Sequence, residues 1–313
     1  MSIKIKAWNA SDWREGPFLN LFIDEKINEA YSELLVDIKK KSMLCDLATV
    51  RYDTYSQVDY SNEFIQKYYF LKYFFGYLGE YYFIYSKLLE EWEKVDNFNI
   101  LSLGSGSGTD YYGFLFSVAK KRKLSFEDTI ELFSYKGIDA INWLYQPTEV
   151  NYNFETCTIS NIKDIIPETN IIFFPKSLAE FSNSDCVHIK KVLNKTNFSS
   201  NNIAIINAVN DSSSSKCLGR IKKICEVFDK KYTCNDDREK YFPYAKTGAI
   251  CKRNSAFQYP NEIKEDIKFL FNHCEKWKKD KDTCDEDCKD VLGQEPIITD
   301  NYFKFQILKF ERK

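Results

Sequence analysis

Along the first hundred residues the apolar positions fall at helical spacing. Ile27, Tyr31, Leu34, Leu35 and Ile38 recur at i, i+4, i+7, i+8 and i+11, one stripe of a helix that Asp24 can cap. The stretch 64–92 is apolar on most faces, the pattern of a helix buried between layers. Core packing is the plain reading of that stretch. A lid that brings a Tyr or Phe to a ligand is the sharper one. From residue 98 the period changes. Phe98-Asn99-Ile100-Leu101-Ser102-Leu103 is an apolar run of strand length, and 111–121 then reads as a helix. Ser125 followed by Asp128 has the spacing of a capping box and starts a second short helix.

Further strands are expected at 135–139, 153–159, 170–174 and 202–207, with helical stretches at 185–193 and 218–228. Strands spaced by helices imply the α/β class, with a parallel sheet joined by right-handed crossovers. Regularity falls off beyond 235. A helix at 261–278 runs into a charged segment that ends near Lys289, and the chain closes on 302–310, an alternating strand. The expected organisation is a helical N-terminal region, 1–97, serving as a lid or a partner surface. An α/β domain at 98–313 follows, with a cysteine-bearing insertion at about 236–298.

Composition narrows the function classes. The chain has 313 residues and a formal net charge of −2, which argues against a protein that coats nucleic acid. Lys39-Lys40-Lys41 and Lys120-Lys121-Arg122-Lys123 read as solvated helix ends, with a local RNA-facing patch left open. Residues 64–89 carry Lys67, Lys72, Glu80 and Lys87, too many charges for a membrane span. The first residues lack the apolar core of a secretory signal. Ten cysteines in that context point to reduced thiols and a cytoplasmic location.

The chemistry concentrates after the strand at 98–103. Gly104-Ser105-Gly106-Ser107-Gly108 follows it directly, and a glycine turn between strand and helix brings backbone amides close to a ligand. Dinucleotide loops follow G-x-G-x-x-G/A, but the residue three after Gly106 is the β-branched Thr109. No Lys follows the glycines, so the nucleotide phosphate loop fails too. What stands is G-x-G-x-G.

The run Ile100-Leu101-Ser102-Leu103-Gly104-Ser105-Gly106-Ser107-Gly108 is similar to motif I of class I S-adenosylmethionine-dependent methyltransferases. The resemblance implies a Rossmann-like methyltransferase fold, mostly parallel with an antiparallel last strand. It implies S-adenosylmethionine as cofactor, its methionine part wrapped by Gly104, Ser105, Gly106 and Gly108. Gly137-Ile138-Asp139 matches the family's next strand, whose terminal acid binds both ribose hydroxyls, a role that suits the two acceptor oxygens of Asp139. Ser160-Asn161-Ile162 falls where the family contacts adenine, with Asn161 toward the amino group and Ile162 beside it. Pro175-Lys176-Ser177 falls where the family faces the methyl group, which adds Lys176. The strand at 302–310 looks like the family's antiparallel seventh strand.

Two positions depart from the pattern. Ser102 stands where the family carries an acid, and the interval from Gly108 to Asp139 is long, as an inserted helix at 123–133 would make it. The resemblance covers about 98–210 plus the terminal strand. Phe174-Pro175-Lys176-Ser177 is not the (D/N/S)-P-P-(Y/F) motif of base amino-methylation, and no Pro-Cys dipeptide offers a nucleophile for pyrimidine carbon-5.

The implied activity is therefore direct methyl transfer to a small-molecule, protein or RNA acceptor, with Lys176, Glu180 and Asp211 as candidates for proton handling. A non-catalytic methyltransferase-fold binding or regulatory protein is the alternative, favoured by Ser102. A nicotinamide-dependent oxidoreductase is disfavoured by Thr109. The aromatic N-terminal helices cover a protein partner as readily as an active site. No membrane partner is expected.

His273, Cys274, Cys284 and Cys288 lie close in sequence, with Cys251 upstream. Cys-x3-Cys is tolerable for zinc, but no Cys-x2-Cys pair exists, so free thiols are expected over zinc or an iron–sulfur cluster. His188 reads as structural.

Overall fold

The computed structural model describes residues 26–41, 44–50, 58–243, 261–284, 287–293 and 303–313. Asp24 and Cys251 lie outside them. Strands β1 (Phe98–Leu103), β2 (Phe133–Asp139), β3 (Tyr152–Thr156), β4 (Ile171–Pro175), β5 (Asn202–Asn210), β6 (Tyr232–Thr233) and β8 (Phe303–Arg312) follow the order β3-β2-β1-β4-β5-β8-β6. β7 (Phe242–Pro243) pairs with β8 off that path. The pairs among β1 to β5 are parallel, whereas β8 is antiparallel to β5, β6 and β7. This is a Rossmann-like arrangement, a mostly parallel sheet with one reversed long strand. β5 runs on to Asn210, past the expected end at 207, because β8 pairs with it from Asn202↔Glu311 to Asn210↔Phe303.

Nine α-helices occur among the described residues: α1 (Asn28–Lys40), α2 (Glu63–Glu91), α3 (Thr109–Arg122), α4 (Phe126–Ile130), α5 (Asn183–Lys195), α6 (Ser214–Cys225), α7 (Asn261–Asn272), α8 (Glu275–Lys279) and α9 (Asp287–Gly293). Ser125 caps α4 as its spacing predicts, accepting from the Asp128 amide. The helix expected through 261–278 is broken instead. Cys274 has ψ 124° and separates α7 from α8, and no residue of Glu275–Lys279 is buried. β3 stops at Thr156, short of 159, because the chain turns into a 3-10 helix at Ile159–Asn161 that buries Ile159.

The chain groups into two compact units, and the division falls inside α2. The first holds the described residues up to Tyr77, Trp143–Tyr145 and the segment with α7, α8 and α9. Within it α1 buries Tyr31, Leu34 and Ile38 of its expected stripe, the Lys67 ammonium meets Asp37 at 2.7 Å, and the Tyr68 hydroxyl donates to the Val291 carbonyl. Trp143 packs on Tyr60 and Tyr69 at centroid distances of 5.3 and 5.6 Å.

The second unit is the sheet with its flanking helices, including Leu78–Glu91 of α2. Successive strand residues point to opposite faces. Leu101 and Leu103 of β1 join Ile172 and Phe174 of β4, Ile189 and Val192 of α5, and Ile221 and Ile224 of α6. On the other face Phe98 meets Phe114 of α3 at 5.1 Å, and Phe173 meets Tyr81 and Tyr85 of α2 at 5.2 and 5.3 Å. Cover on both faces is why these strands read as unbroken apolar runs. No helix among the described residues is long and apolar enough to cross a membrane.

Helices α2 and α3 pack closely at Gly113, where an added Cβ would lie 2.8 Å from the Tyr81 Cβ and 3.0 Å from the Tyr82 backbone nitrogen. Alanine there gains about 1 kcal/mol of helix propensity but meets main chain that cannot yield, at ~1–3 kcal/mol for overpacking. Gly113→Ala is therefore expected to lower the urea midpoint. An unchanged or raised midpoint would contradict this crossing.

Candidate functional site

The loop after β1 is built on three left-handed glycines, Gly104 (φ 73°), Gly106 (φ 56°) and Gly108 (φ 73°). The amides of Gly104 and Ser105 both donate to the Ile138 carbonyl, at 2.7 and 3.2 Å, which folds the end of β1 over the end of β2. A Cβ on Gly104 would lie 2.3 Å from that of Ser177, whose hydroxyl donates to the Leu103 carbonyl. The segment after β4 thus braces the loop from the other side. Gly137 has the same character: a Cβ there would lie 2.7 Å from the Ser105 hydroxyl oxygen.

Asp139 ends β2 and is tied directly to the loop. Its Oδ2 accepts from the Gly106 amide at 2.9 Å and its Oδ1 from the Ile141 amide at 3.0 Å. Each oxygen keeps acceptor capacity for one more donor. The other expected contacts differ in exposure. Asn161 is solvent-exposed at the end of the 3-10 turn after β3. The Ile162 side chain belongs to the core and its carbonyl meets His188 Nε2 at 2.8 Å, so Ile162 can offer a ligand only its backbone.

Lys176 follows β4 with a left-handed backbone, φ 61°, a conformation non-glycine residues seldom hold without compensation. Its amide donates to the Ala208 carbonyl at 3.0 Å. Its ammonium lies 2.8 Å from Glu80 Oε2 of α2, a carboxylate with 0% side-chain exposure, and 5.1 Å from the centre of the Phe303 ring. Of the other candidates, Asp211 is held in an ion pair with Lys304. The Glu180 carboxyl is pushed above its ordinary value, first by desolvation and then by the charge of Asp139.

Asp110, the second residue of α3, gave no signal in the sequence beyond its place after the glycines. It is fully buried, and both its oxygens lie 2.8 Å from the Tyr135 hydroxyl. Ser102, at the position where the resemblance expects an acid, faces this carboxyl and eases its ionisation, but in a geometry too poor for a good hydrogen bond. Burial dominates and pushes Asp110 up to about 7.

No group of three or more His, Cys, Asp or Glu among the described residues is arranged to hold a metal ion. Cys274 and Cys288 are buried free thiols and Cys284 is half-buried.

No family profile and no curated protein sequence matches the chain. Solved structures are similar to it. The plantazolicin methyltransferase BpumL, in complex with SAH, is 12% identical with a TM-score of 0.41, over 90% of this chain and 100% of that one. YcgJ from Bacillus subtilis is 11% identical with a TM-score of 0.33, over 74% of this chain and 99% of that one. The [4+2]-cyclase SpnF is 9% identical with a TM-score of 0.38, over 74% and 81%. Likeness this distant carries nothing about activity, which has to come from the residues at the strand ends.

Two tests address this geometry. Gly104→Ala should destabilise by ~2–4 kcal/mol, combining about 1–2 kcal/mol for the left-handed backbone with the clash at Ser177. Adding Ser177→Gly should restore only the steric part, so full recovery or no loss would refute the described loop. For Asp110 the folded carboxyl holds its proton above the pH at which the unfolded chain, near 3.8, gives it up. The folded state then binds more protons between those values, and stability falls as pH rises from about 4 to about 7. Asp110→Asn removes that fall. Its midpoint relative to wild type should climb across the window and level off above it, whereas a difference independent of pH would show that Asp110 does not titrate there.

Proposed function

We propose that this protein binds S-adenosylmethionine on the loop after β1 and transfers its methyl group to an acceptor held at the carboxyl ends of β4 and β5. The supporting observation is the bond from the Gly106 amide to Asp139, which joins the left-handed glycine loop and the acid at the end of β2 into one edge. In open α/β sheets ligands sit outside the carboxyl ends of the strands. The residues present fit this cofactor. The loop offers backbone without side chains at Gly104, Gly106 and Gly108. Asp139 has one spare acceptor site on each oxygen, which suits two vicinal hydroxyls. Asn161 offers an exposed amide after β3, and Ile162 its backbone.

When bound, the cofactor supplies a methyl group on a positively charged sulfur, ready for in-line attack. The chain's part is to position the acceptor and to exclude water. Lys176 does this as a fixed element, because its ammonium is engaged by Glu80. Glu180, raised above the ordinary carboxylate range, is the group best placed to take a proton from an acceptor. A second reading, cofactor binding without turnover, is favoured by one observation: both Lys176 and Asp211 are held in ion pairs.

Calorimetry tests the cofactor. S-adenosylmethionine or S-adenosylhomocysteine should bind, with NAD and ATP much weaker. Asp139→Ala should lose about 1.5–3 kcal/mol, the range for hydrogen bonds to a charged group. Binding of NAD with none of S-adenosylmethionine would sink the reading. Release of S-adenosylhomocysteine in the presence of an acceptor separates turnover from mere binding.

A further inference from the structure

Next to the glycine loop lies a buried polar cluster that the transfer reaction does not use. Asp110 has 0% exposure and the Ser102 hydroxyl of β1 faces its carboxyl, while Ser105 of the loop and Tyr85 of α2 bring buried hydroxyls that have no hydrogen-bond partner among the described residues. Orphaned hydroxyls near a buried carboxyl are unusual, since buried polar groups are normally paired. The cluster also connects to the loop. Tyr135 holds Asp110 by its hydroxyl, the edge of its ring lies 3.2 Å from where a Gly137 Cβ would stand, and the Ser105 side chain fills the rest of that space.

We infer that Asp110 is the charge-compensating residue of the cofactor loop: it holds a proton while the loop is empty and releases it to solvent when a cationic ligand binds above. The inference rests on the S-adenosylmethionine reading, whose sulfonium supplies the positive charge. In the released state the cluster is better satisfied, because an ionised carboxylate has about four acceptor sites, whereas a protonated one presents its own donor to neighbours already rich in donors.

The surroundings make the balance fine. The titratable groups facing Asp110 are Tyr135 from β2, Tyr152 from β3, and Tyr81 and Tyr85 from α2, all uncharged near neutral pH. β1 contributes the neutral Ser102, and α3 its own first-turn amides at Asp110 and Tyr111. Burial opposes the charge, while the amides at the start of α3 favour it. With no cation among these neighbours, a positive charge arriving over the loop acts on a group already balanced between its two forms. Asp110 is on this account a positioning residue, acting through the loop without touching the ligand.

The experiment is calorimetry of S-adenosylmethionine binding to the full chain near pH 7, repeated in phosphate and in Tris, whose ionisation enthalpies differ. Wild type should release a substantial fraction of a proton per ligand, and its affinity should rise from pH 6 to pH 8. Asp110→Asn should lower that release and flatten the pH profile. Any proton the ligand itself gives up is common to both proteins and cancels in the difference. Tyr135→Phe is the second variant: it removes a donor that favours the ionised form, so the release should persist with its midpoint at higher pH. Infrared difference spectra give a reading free of turnover, as a protonated-carboxyl band lost on ligand addition in wild type and missing from Asp110→Asn. Equal proton release in wild type and Asp110→Asn, with tight binding in both, overturns this inference alone. Absence of any binding by wild type overturns the cofactor reading and this inference together.

Discussion

One carbonyl organises the candidate site. The oxygen of Ile138 takes the amides of both Gly104 and Ser105, so the first turn of the loop is hung on the neighbouring strand. Only left-handed backbone lets the chain make that turn, and it leaves no room for a side chain on Gly104. Everything downstream inherits its position from this bond. The Gly106 amide is brought to Asp139, α3 starts where Gly108 leaves off, and Asp110 is carried under the sheet edge. A parallel pairing of β1 with β2 in the observed register is what puts Ile138 in reach.

Around this turn the protein buries charge. Glu80 and Lys176 form a pair with almost no exposure, and Asp110 has only hydroxyls and amides for company. Such groups seldom add stability over a well-packed apolar alternative. What the pair does provide is definition. Lys176 is held from two directions, by the Glu80 carboxylate and by the bond of its amide to Ala208, and this compensates its left-handed backbone.

Much of this was legible in the pattern of residues. Strands covered on both sides announce themselves as apolar runs, and the glycines announce the turn because few other residues can make it. Asp139 was legible because it closes a strand. The buried acids were not. Glu80 and Lys176 stand far apart in the chain, and a charged residue on a helix ordinarily means solvent. Asp110 lies beside the glycines, yet its partner Tyr135 comes from another strand, and only the fold reveals that the two meet. The break at Cys274 escaped for a related reason: helical spacing of apolar residues continues through it, and the loss of a face to bury shows only when packing is known.

The second half of α2 has a consequence for how the chain is made. Tyr81 and Tyr85 form part of the layer over β4, packed on Phe173, and are synthesised roughly ninety residues before it, on the order of ten seconds at ribosomal rates. During that interval these rings lack the Phe173 side chain on which they pack. Nascent chains stalled between α2 and β4 would therefore present a sticky helix to the chaperones at the tunnel exit, and the arrival of β4, not of the glycine loop, would end that exposure.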